Sequence, residues 1–335
     1  MSAVAGPIVD TRGRPVVDAL VAWARRNGWT LSLIALLAVL LAFTKVINPS
    51  YGAPGIQGLA ISVLPLALAA VAQAVCVIGG GIDLSIGSMM ALTSVVAASQ
   101  MKDQSEEFGV AVILAVLILG LIIGAVNGAV IVITRVPDIV VTLAMSFVWA
   151  GAALLVLKTP AGGSAQWLKD LVLGPAGFDW IPKAAVVLIV VVAVIWIPLR
   201  RSTVGLSIYA IGSDRLAAFR SGVAVGPTKV IAYATTGLFA ALAGISLTAS
   251  TGIGNPVPGP YTLMSVAAVV LGGVSLAGGR GGVFGPMIGV LILVLIQNDM
   301  AFLSLDPNLA LVSQGLILIG VVMFGSLIQW RRSRR

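Results

Sequence analysis

The sequence predicts an all-α membrane protein with about ten membrane-spanning helices, and three observations support that fold class. First, 59% of its 335 residues are hydrophobic. Second, only 10% are charged, whereas soluble domains average about 25%. Third, apolar runs of roughly 20 residues, the length that a helix needs to cross a bilayer, recur along the chain. Together they indicate a protein that crosses the membrane many times.

The apolar runs, taken in order, place the spans and divide the chain into three regions. We expect spans at 29–48, 56–78, 84–100, 108–134, 139–157, 183–199, 228–250, 262–277, 283–298 and 309–329. Residues 1–28 then form a cytoplasmic N-terminal segment, residues 29–329 the transmembrane domain and residues 330–335 a basic cytoplasmic tail. The N-terminal segment has no small-residue cleavage pattern after a short apolar core, so we do not expect a signal peptide.

Basic residues set the predicted orientation. With both termini inside, ten passes place 15 of the 20 basic residues, including every arginine, in inner segments and five lysines in outer segments. This is the bias of the positive-inside rule. Because the basic residues are scattered over separate inner segments, the formal charge of +8 indicates contact with membrane lipid headgroups and no nucleic-acid partner.

Several chemistries are excluded by residues that the chain lacks. One cysteine and no histidine exclude a disulfide framework and the usual zinc and haem ligands, so no metal site is predicted. No G-x-x-x-x-G-K-[ST] phosphate loop occurs, and the glycine-rich run 278–282 lacks the lysine of such a loop. We therefore expect a chain that is not an enzyme and holds no cofactor of its own.

Residues 79–88 read G-G-G-I-D-L-S-I-G-S and predict a broken helix between the second and third spans. A carboxylate between apolar spans is costly, so Asp83 marks a functional position. Consecutive glycines allow positive φ angles, and the serines can bond backbone groups that a broken helix leaves free. We expect the carboxylate near the cytoplasmic end of the broken helix, accepting hydrogen bonds from the N–H groups of the glycine turn. The candidate residues here are Gly80, Gly81, Asp83, Ser85 and Ser88.

A second break is predicted between the eighth and ninth spans. Its candidate residues are Gly272, Gly273 and Ser275, followed by the glycine pair 278–279. Corresponding breaks in the two halves of a transporter indicate paired repeats. We therefore expect two structural repeats of five helices, with passes one to five and six to ten as the units.

Polar residues inside the spans leave two interpretations open. Asn127 and Thr142 are the candidates near the first break, and Gln73, Gln297, Asn298 and Gln314 also lie in or at the ends of spans. Such side chains either join helices by hydrogen bonds or line a hydrophilic route for a neutral solute. Asp138, which adjoins Pro137 at the start of a span, is interpreted as a helix cap.

The inner segment 202–227 is longer than a connector requires. Ser213 or Asp214 can cap a short helix at 215–220, and Gly222 ends it. The side chains that this helix would present are Arg215, Phe219 and Arg220. An exposed aromatic residue among charges favours a partner-binding surface, and the alternative is a solvated connector between passes six and seven.

Two of these motifs resemble one known family. Residues 79–88 are similar to the G-G-I-D-L-S-[VI]-G-S signature of the monosaccharide-type permease subunits of ATP-driven (ABC) importers. Residues 203–223 are similar to the cytoplasmic segment that serves in that family as the coupling helix, with Asp214 where the family often has Asn. The resemblance implies that coupling to an ATPase involves Gly212, Asp214, Arg215, Ala217, Ala218, Phe219, Arg220 and Gly222.

The resemblance extends over about residues 70–325, because 127–128, 137–145 and 271–279 also match. It implies a permease domain like that of type II ABC importers, which translocates a neutral monosaccharide-like solute across the bacterial inner membrane. It also implies three partners: a second permease copy or a paralogue, an ABC ATP-binding subunit that holds ATP and Mg, and a periplasmic sugar-binding protein. Pro286 and Asp299 depart from the family pattern, which tends to have Thr and Gly there.

Two other function classes remain open on the residues alone. An ion-coupled secondary transporter would use Asp83 as a proton or sodium site. A membrane enzyme would be built on the same carboxylate. Neither class needs the cytoplasmic segment around Asp214, so that segment favours the importer permease.

Overall fold

A computed structural model describes residues 28–306 except Pro258, together with residues 309, 312–313, 315–316, 319–320 and 323. The elements in chain order are α1 (Gly28–Ile47), α2 (Ala53–Ile78), α3 (Ile86–Met101), α4 (Glu106–Thr134), α5 (Asp138–Val156), α6 (Gln166–Val172), β1 (Pro175–Ala176), β2 (Phe178–Pro182), α7 (Lys183–Arg201), α8 (Thr203–Ser213), α9 (Arg215–Arg220), α10 (Val225–Thr251), α11 (Tyr261–Leu271) and α12 (Phe284–Phe302).

Within the described residues, seven helices are long and apolar enough to cross a membrane. They are α1, α2, α4, α5, α7, α10 and α12, and the shorter apolar helices α3, α8 and α11 accompany them. Nine of the predicted spans coincide with one of these helices. The tenth predicted span, 309–329, lies largely outside the described residues, so the total of ten stays a prediction.

Three predicted segments differ from the structure. The eighth span was expected to reach residue 277 but α11 ends at Leu271, because Gly272 and Gly273 turn the chain. The inner segment 202–227 is not a loop with one short helix, since α8 fills most of its first half. The stretch 158–182, which the predicted spans at 139–157 and 183–199 leave between them, contains α6 and an antiparallel β1–β2 hairpin, so the described chain is not purely α-helical.

The interior of the bundle is formed by α2, α3 and α10. Every residue of α2 from Val63 to Ile78 is buried, and α10 packs against α2, α3 and α4. Small residues let these backbones approach closely: a Cβ on Gly124 of α4 would lie 2.9 Å from the Cα of Gly237 of α10. Close approach of this kind is how helices associate in a bilayer, where apolar side chains gain little by leaving lipid.

The outer helices present large apolar side chains to the surroundings. Examples are Val39 on α1, Leu114 on α4, Phe147 on α5 and Val190 on α7, all more than half exposed. Exposed apolar surface on this scale is unfavourable in water and favourable against lipid tails. These four helices therefore form the lipid-facing shell around α2, α3 and α10.

Candidate functional site

The first predicted break is present at residues 79–85, between α2 and α3. The N–H groups of Gly80 and Gly81 donate to the carbonyls of Val77 (2.9 Å) and Cys76 (3.0 Å). These bonds end α2 in the pattern of a Schellman motif, with Gly80 at a φ of 80° that glycine adopts without strain. The glycines therefore turn the chain at the helix end, as predicted.

Asp83 lies within this break and is fully buried. Its Oδ1 accepts hydrogen bonds from the backbone N–H (2.8 Å) and the hydroxyl (2.6 Å) of Ser85, an Asx turn that leads into α3. Its Oδ2 has no partner among the described residues. The expectation that the glycine turn supplies the donors is wrong, because the N–H groups of Gly80 and Gly81 already bond the last turn of α2.

A chain of hydrogen bonds ties this break to α4 and α5. Asn127 of α4 donates from Nδ2 to Ser85 Oγ (2.8 Å), and Trp149 of α5 donates from Nε1 to Asn127 Oδ1 (3.0 Å). Thr142 of α5 accepts the backbone N–H of Leu84 (3.1 Å). The break is thus held by side chains from both neighbouring helices.

Gln73 of α2 also holds this break, by hydrogen bonds to the backbone of Asp83. With its amide oriented so that Nε2 faces the Asp83 carbonyl, Gln73 donates to that carbonyl (2.9 Å) and accepts from the Asp83 N–H (3.3 Å). Ser88 donates to the Ser85 carbonyl (2.8 Å). Because Gln73, Asn127 and Thr142 are fully buried and bonded within the protein, they act as joints between helices, which favours the first of the two sequence-based interpretations.

The second break repeats the backbone pattern of the first. The N–H groups of Gly273 and Val274 donate to carbonyls in the last turn of α11 (3.0 and 3.1 Å), and Gly273 has a φ of 78°. The N–H of Ser275 then donates to the carbonyl of Arg280 (3.1 Å), which closes the loop before α12. The break predicted at Gly272, Gly273 and Ser275 is therefore present, but this loop contains no acidic residue.

The C-terminal end of α8 lies where the two breaks meet. The N–H of Gly279, in the second break, donates to the carbonyl of Ile78, the last residue of α2 (2.9 Å). Gly212 of α8 covers this bond so closely that a Cβ on it would overlap the Ile78 carbonyl oxygen and lie 2.6 Å from the Gly279 nitrogen. We call Ile78, Gly212 and Gly279 the glycine junction.

Tyr209 adds a second bond between α8 and the second break. Its hydroxyl donates to the carbonyl of Gly281 (2.8 Å). Partial burial raises the pKa of the Tyr209 hydroxyl, against a smaller opposing effect of Arg200, so the group stays protonated and remains a donor. One helix therefore contacts both interrupted segments.

The short helix predicted after this point is α9. Asp214 caps it, because its Oδ1 accepts the N–H groups of Leu216 and Ala217 (both 2.9 Å). Gly222 follows the helix with a φ of 85°, as expected of its end. Of the predicted coupling residues, Gly212 and Ala218 are buried and Asp214, Arg215, Ala217, Phe219, Arg220 and Gly222 are exposed.

Sequence reasoning missed an ion pair that fixes the start of α5 to α10. Lys229 Nζ donates to Asp138 Oδ1 (2.6 Å), and Tyr233 Oη donates to Asp138 Oδ2 (2.8 Å). The prediction that Asp138 caps a helix is wrong, because Pro137 occupies the cap position and no side-chain cap bond forms. The sequence did contain a signal for this pair, because Asp138 and Lys229 each lie at the end of a predicted span. The pair lies beside the first break, since a Cβ on Gly81 would come within 2.7 Å of Tyr233 Oη.

Comparison with known proteins gives one family. Residues 55–323 match the family described as branched-chain amino acid transport system / permease component. The ribose import permease protein RbsC of Bacillus subtilis is 34% identical over 293 residues, which cover 86% of this chain and 89% of that protein.

Two relatives from Escherichia coli K12 are similar over the same extent. Its ribose import permease protein RbsC is 32% identical over 307 residues, 87% of this chain and 92% of that protein. Its L-arabinose transport system permease protein AraH is 32% identical over 298 residues, 87% of this chain and 89% of that protein. No solved structure matches the chain.

Proposed function

Because the chain belongs to the family of branched-chain amino acid transport system permease components, we propose that it is the membrane permease subunit of an ATP-driven sugar importer. The observation that carries the proposal is the glycine junction, where α8 contacts both helix breaks and continues directly into α9. The relatives named for ribose and L-arabinose support a sugar as the solute.

The proposed mechanism runs from α9 through α8 to the breaks. Phe219, 66% exposed, is the apolar anchor for the ATPase subunit, and Arg220 beside it faces acidic groups there. Movement of α9 on ATP binding shifts α8, because Asp214 joins the two helices without a flexible linker. The close contacts of Gly212 then pass the shift to the end of α2 and to the second break, since tightly packed interfaces change between discrete arrangements.

The partners follow from this mechanism. The chain is not an enzyme, so ATP and Mg are bound by a separate ABC ATPase subunit. A second permease copy or a paralogue completes the membrane part, and a periplasmic sugar-binding protein delivers the solute. The complex lies in the bacterial inner membrane, and the distribution of basic residues supports cytoplasmic termini.

A neutral monosaccharide fits the ionisable groups of the described spans. Asp83 and Asp299 are buried and accept hydrogen bonds from the hydroxyl groups of Ser85 and Thr44, and Asp138 is paired with Lys229, so none of the three offers an accessible unpaired charge to a substrate. A charged solute would need an accessible counter-charge inside the membrane. A sugar needs only hydrogen-bonding groups.

We also propose that the chain crosses the membrane ten times and contains an internal repeat. The shared hydrogen-bond pattern of the two breaks supports an internal repeat. The breaks are separated by six predicted passes, however, so the unit that this geometry supports is the helix–break–helix element, α2–α3 and α11–α12, and not a division into two sets of five.

One observation favours a second candidate, an ion-coupled transporter. Asp83 Oδ2 is buried without a partner among the described residues, as a proton or sodium site would be before loading. The coupling segment has no role in that mechanism, which makes it the weaker candidate.

Reconstitution separates the two candidates. The chain is purified with its ATPase subunit and placed in proteoliposomes, with the sugar-binding protein on the side of the membrane opposite the ATPase. Uptake of labelled ribose and arabinose is then measured. We expect uptake to require ATP and the binding protein and to persist when ionophores collapse the ion gradients. Uptake without ATP that ionophores abolish would establish the ion-coupled transporter instead.

A further inference from the structure

A cavity lies between the end of α4, the start of α5, the start of α9 and the first turns of α10. Its volume is about 130 Å³, and three basic side chains line it, those of Arg135, Arg215 and Lys229. Asp138 is the acidic group in the lining, and it is paired with Lys229. The cavity therefore keeps two positive charges that the described residues do not neutralise.

Within the described residues, neither Arg135 nor Arg215 forms an ion pair. Asp214, the acidic neighbour of Arg215, uses Oδ1 to cap α9. Arg135 ends α4 in the left-handed conformation, with φ 59° and ψ 17°, a conformation that a glycine would adopt with less strain. An arginine at that position therefore combines a strained backbone with a charge that lines the cavity.

The rest of the lining is apolar. Ile131, Val132 and Val136, at the corner between α4 and α5, form this apolar wall, and the neighbouring Ile133 is exposed. A ligand that fits this arrangement has an anionic head and an apolar body. Basic pockets between helices at the cytoplasmic surface have this character when they bind anionic lipid headgroups.

We propose that this cavity binds the phosphate of an anionic phospholipid of the inner leaflet, held by Arg135 and Arg215. The bound phosphate links the end of α4 to the first residue of α9, so the lipid steadies the helix that we assign to ATPase contact. The inference uses the proposed orientation only to name the leaflet. Binding of the lipid needs neither ATP nor the ATPase.

Lipid binding is measured by native mass spectrometry of the purified chain with phosphatidylglycerol or phosphatidylcholine. Removing one basic residue near a membrane surface costs about five-fold in affinity for anionic lipid, so Arg135→Gln with Arg215→Gln should weaken phosphatidylglycerol binding roughly 25-fold. Phosphatidylcholine binding should not change. Arg201→Gln, an exposed arginine at the end of α7 outside the cavity, is the matched control and should bind like the wild type.

The variant Arg135→Gly separates a loss of lipid binding from a loss of folding. This variant relieves the left-handed strain and should unfold at the same or a higher temperature, while it loses about five-fold in phosphatidylglycerol binding. Millimolar inorganic phosphate should not displace the lipid, because it lacks the apolar body. Displacement by phosphate, equal binding of the two lipids, or an equal loss in Arg201→Gln would each overturn the proposal. A double variant that keeps selective lipid binding but loses the ATPase would show that the cavity is a protein contact.

Discussion

At the scale of single residues, two aspartates in or beside the first break have opposite surroundings. Asp138 is partly exposed and has a cation, Lys229, at hydrogen-bond distance. Asp83 is fully buried and has only neutral donors, both from Ser85, on one of its oxygens. A buried carboxylate bonded in this way shapes the backbone around it. We therefore assign Asp83 to holding the first break and not to binding the solute.

A graded pair of substitutions at Asp83 tests this role. Asp83→Asn keeps an acceptor for both Ser85 donors, so we expect the fold to persist and ATP-dependent uptake to fall only partly. Asp83→Ala leaves the Ser85 N–H and hydroxyl without an acceptor, and a buried unpaired group costs about 1–3 kcal/mol. Thermal unfolding in detergent and proteoliposome uptake should both rank wild type above Asn and Asn above Ala.

Asp103→Asn is the control for that series, because Asp103 is exposed after α3 and its φ of 56° suits asparagine. Its unfolding temperature and uptake should match the wild type. If Asp83→Asn instead removed a sodium or proton dependence of transport, the carboxylate would be an ion site and the bracing role would be wrong.

At the scale of helices, α8 is the element that connects the predicted coupling region to the breaks. It contributes no ionisable group to the glycine junction. Its influence is steric, since the backbone of Gly212 lies against Ile78 and Gly279, and Tyr209 bonds Gly281. Because α8 is held by backbone contacts at the end where it continues into α9, we expect the two helices to move together.

Gly212→Ala tests the connection directly. The added methyl group would overlap the Ile78 carbonyl and press on the Gly279 N–H, so the bond between these two residues must lengthen or α8 must shift. Overpacking of this kind costs typically about 1–3 kcal/mol. We expect the ATPase subunit still to bind, while the amount of sugar moved per ATP hydrolysed falls several-fold.

Gly58→Ala is the matched control, because a methyl group on this exposed helical glycine of α2 would meet nothing within 4 Å. It should leave the sugar-to-ATP ratio unchanged. An unchanged ratio in Gly212→Ala as well would show that α8 does not transmit movement.

The sequence predicted the helices better than the contacts between them. Apolar runs located nine helices, seven of them long enough to cross a membrane, because lipid requires about 20 apolar residues per crossing. Within segment 202–227 the sequence predicted only the short helix at 215–220, and the packing of Gly212 against Ile78 and Gly279 reveals why a glycine is needed in α8. The ion pair between Asp138 and Lys229 joins residues 91 positions apart. Over that separation the local sequence gives no indication that the two side chains meet.

At the scale of the whole molecule, one end of the bundle holds the features on which the coupling and lipid proposals depend. The glycine junction, α9 and the basic cavity share one side, with Arg215 in both α9 and the cavity lining. The arrangement separates two kinds of contact. Under the two proposals, Phe219 and Arg220 contact the ATPase subunit and Arg215 contacts lipid phosphate.

Phe219→Ala with Arg220→Ala tests coupling in the assembled importer. Phe219 is exposed, so truncating its side chain leaves no cavity in the protein interior. Membrane insertion, thermal stability and dimer formation should therefore stay at wild-type levels. Aromatic and arginine side chains dominate protein interfaces, and losing such a pair commonly costs about 2 kcal/mol or more. ATPase recruitment, measured by co-purification, should therefore weaken more than ten-fold, and uptake should fall with it.

The control variant, Ile133→Ala with Arg201→Ala, removes one large apolar side chain and one arginine, both exposed, from the ends of α4 and α7. It should change neither ATPase recruitment nor uptake. Wild-type recruitment together with wild-type uptake in the α9 variant would remove the main support for coupling through this helix.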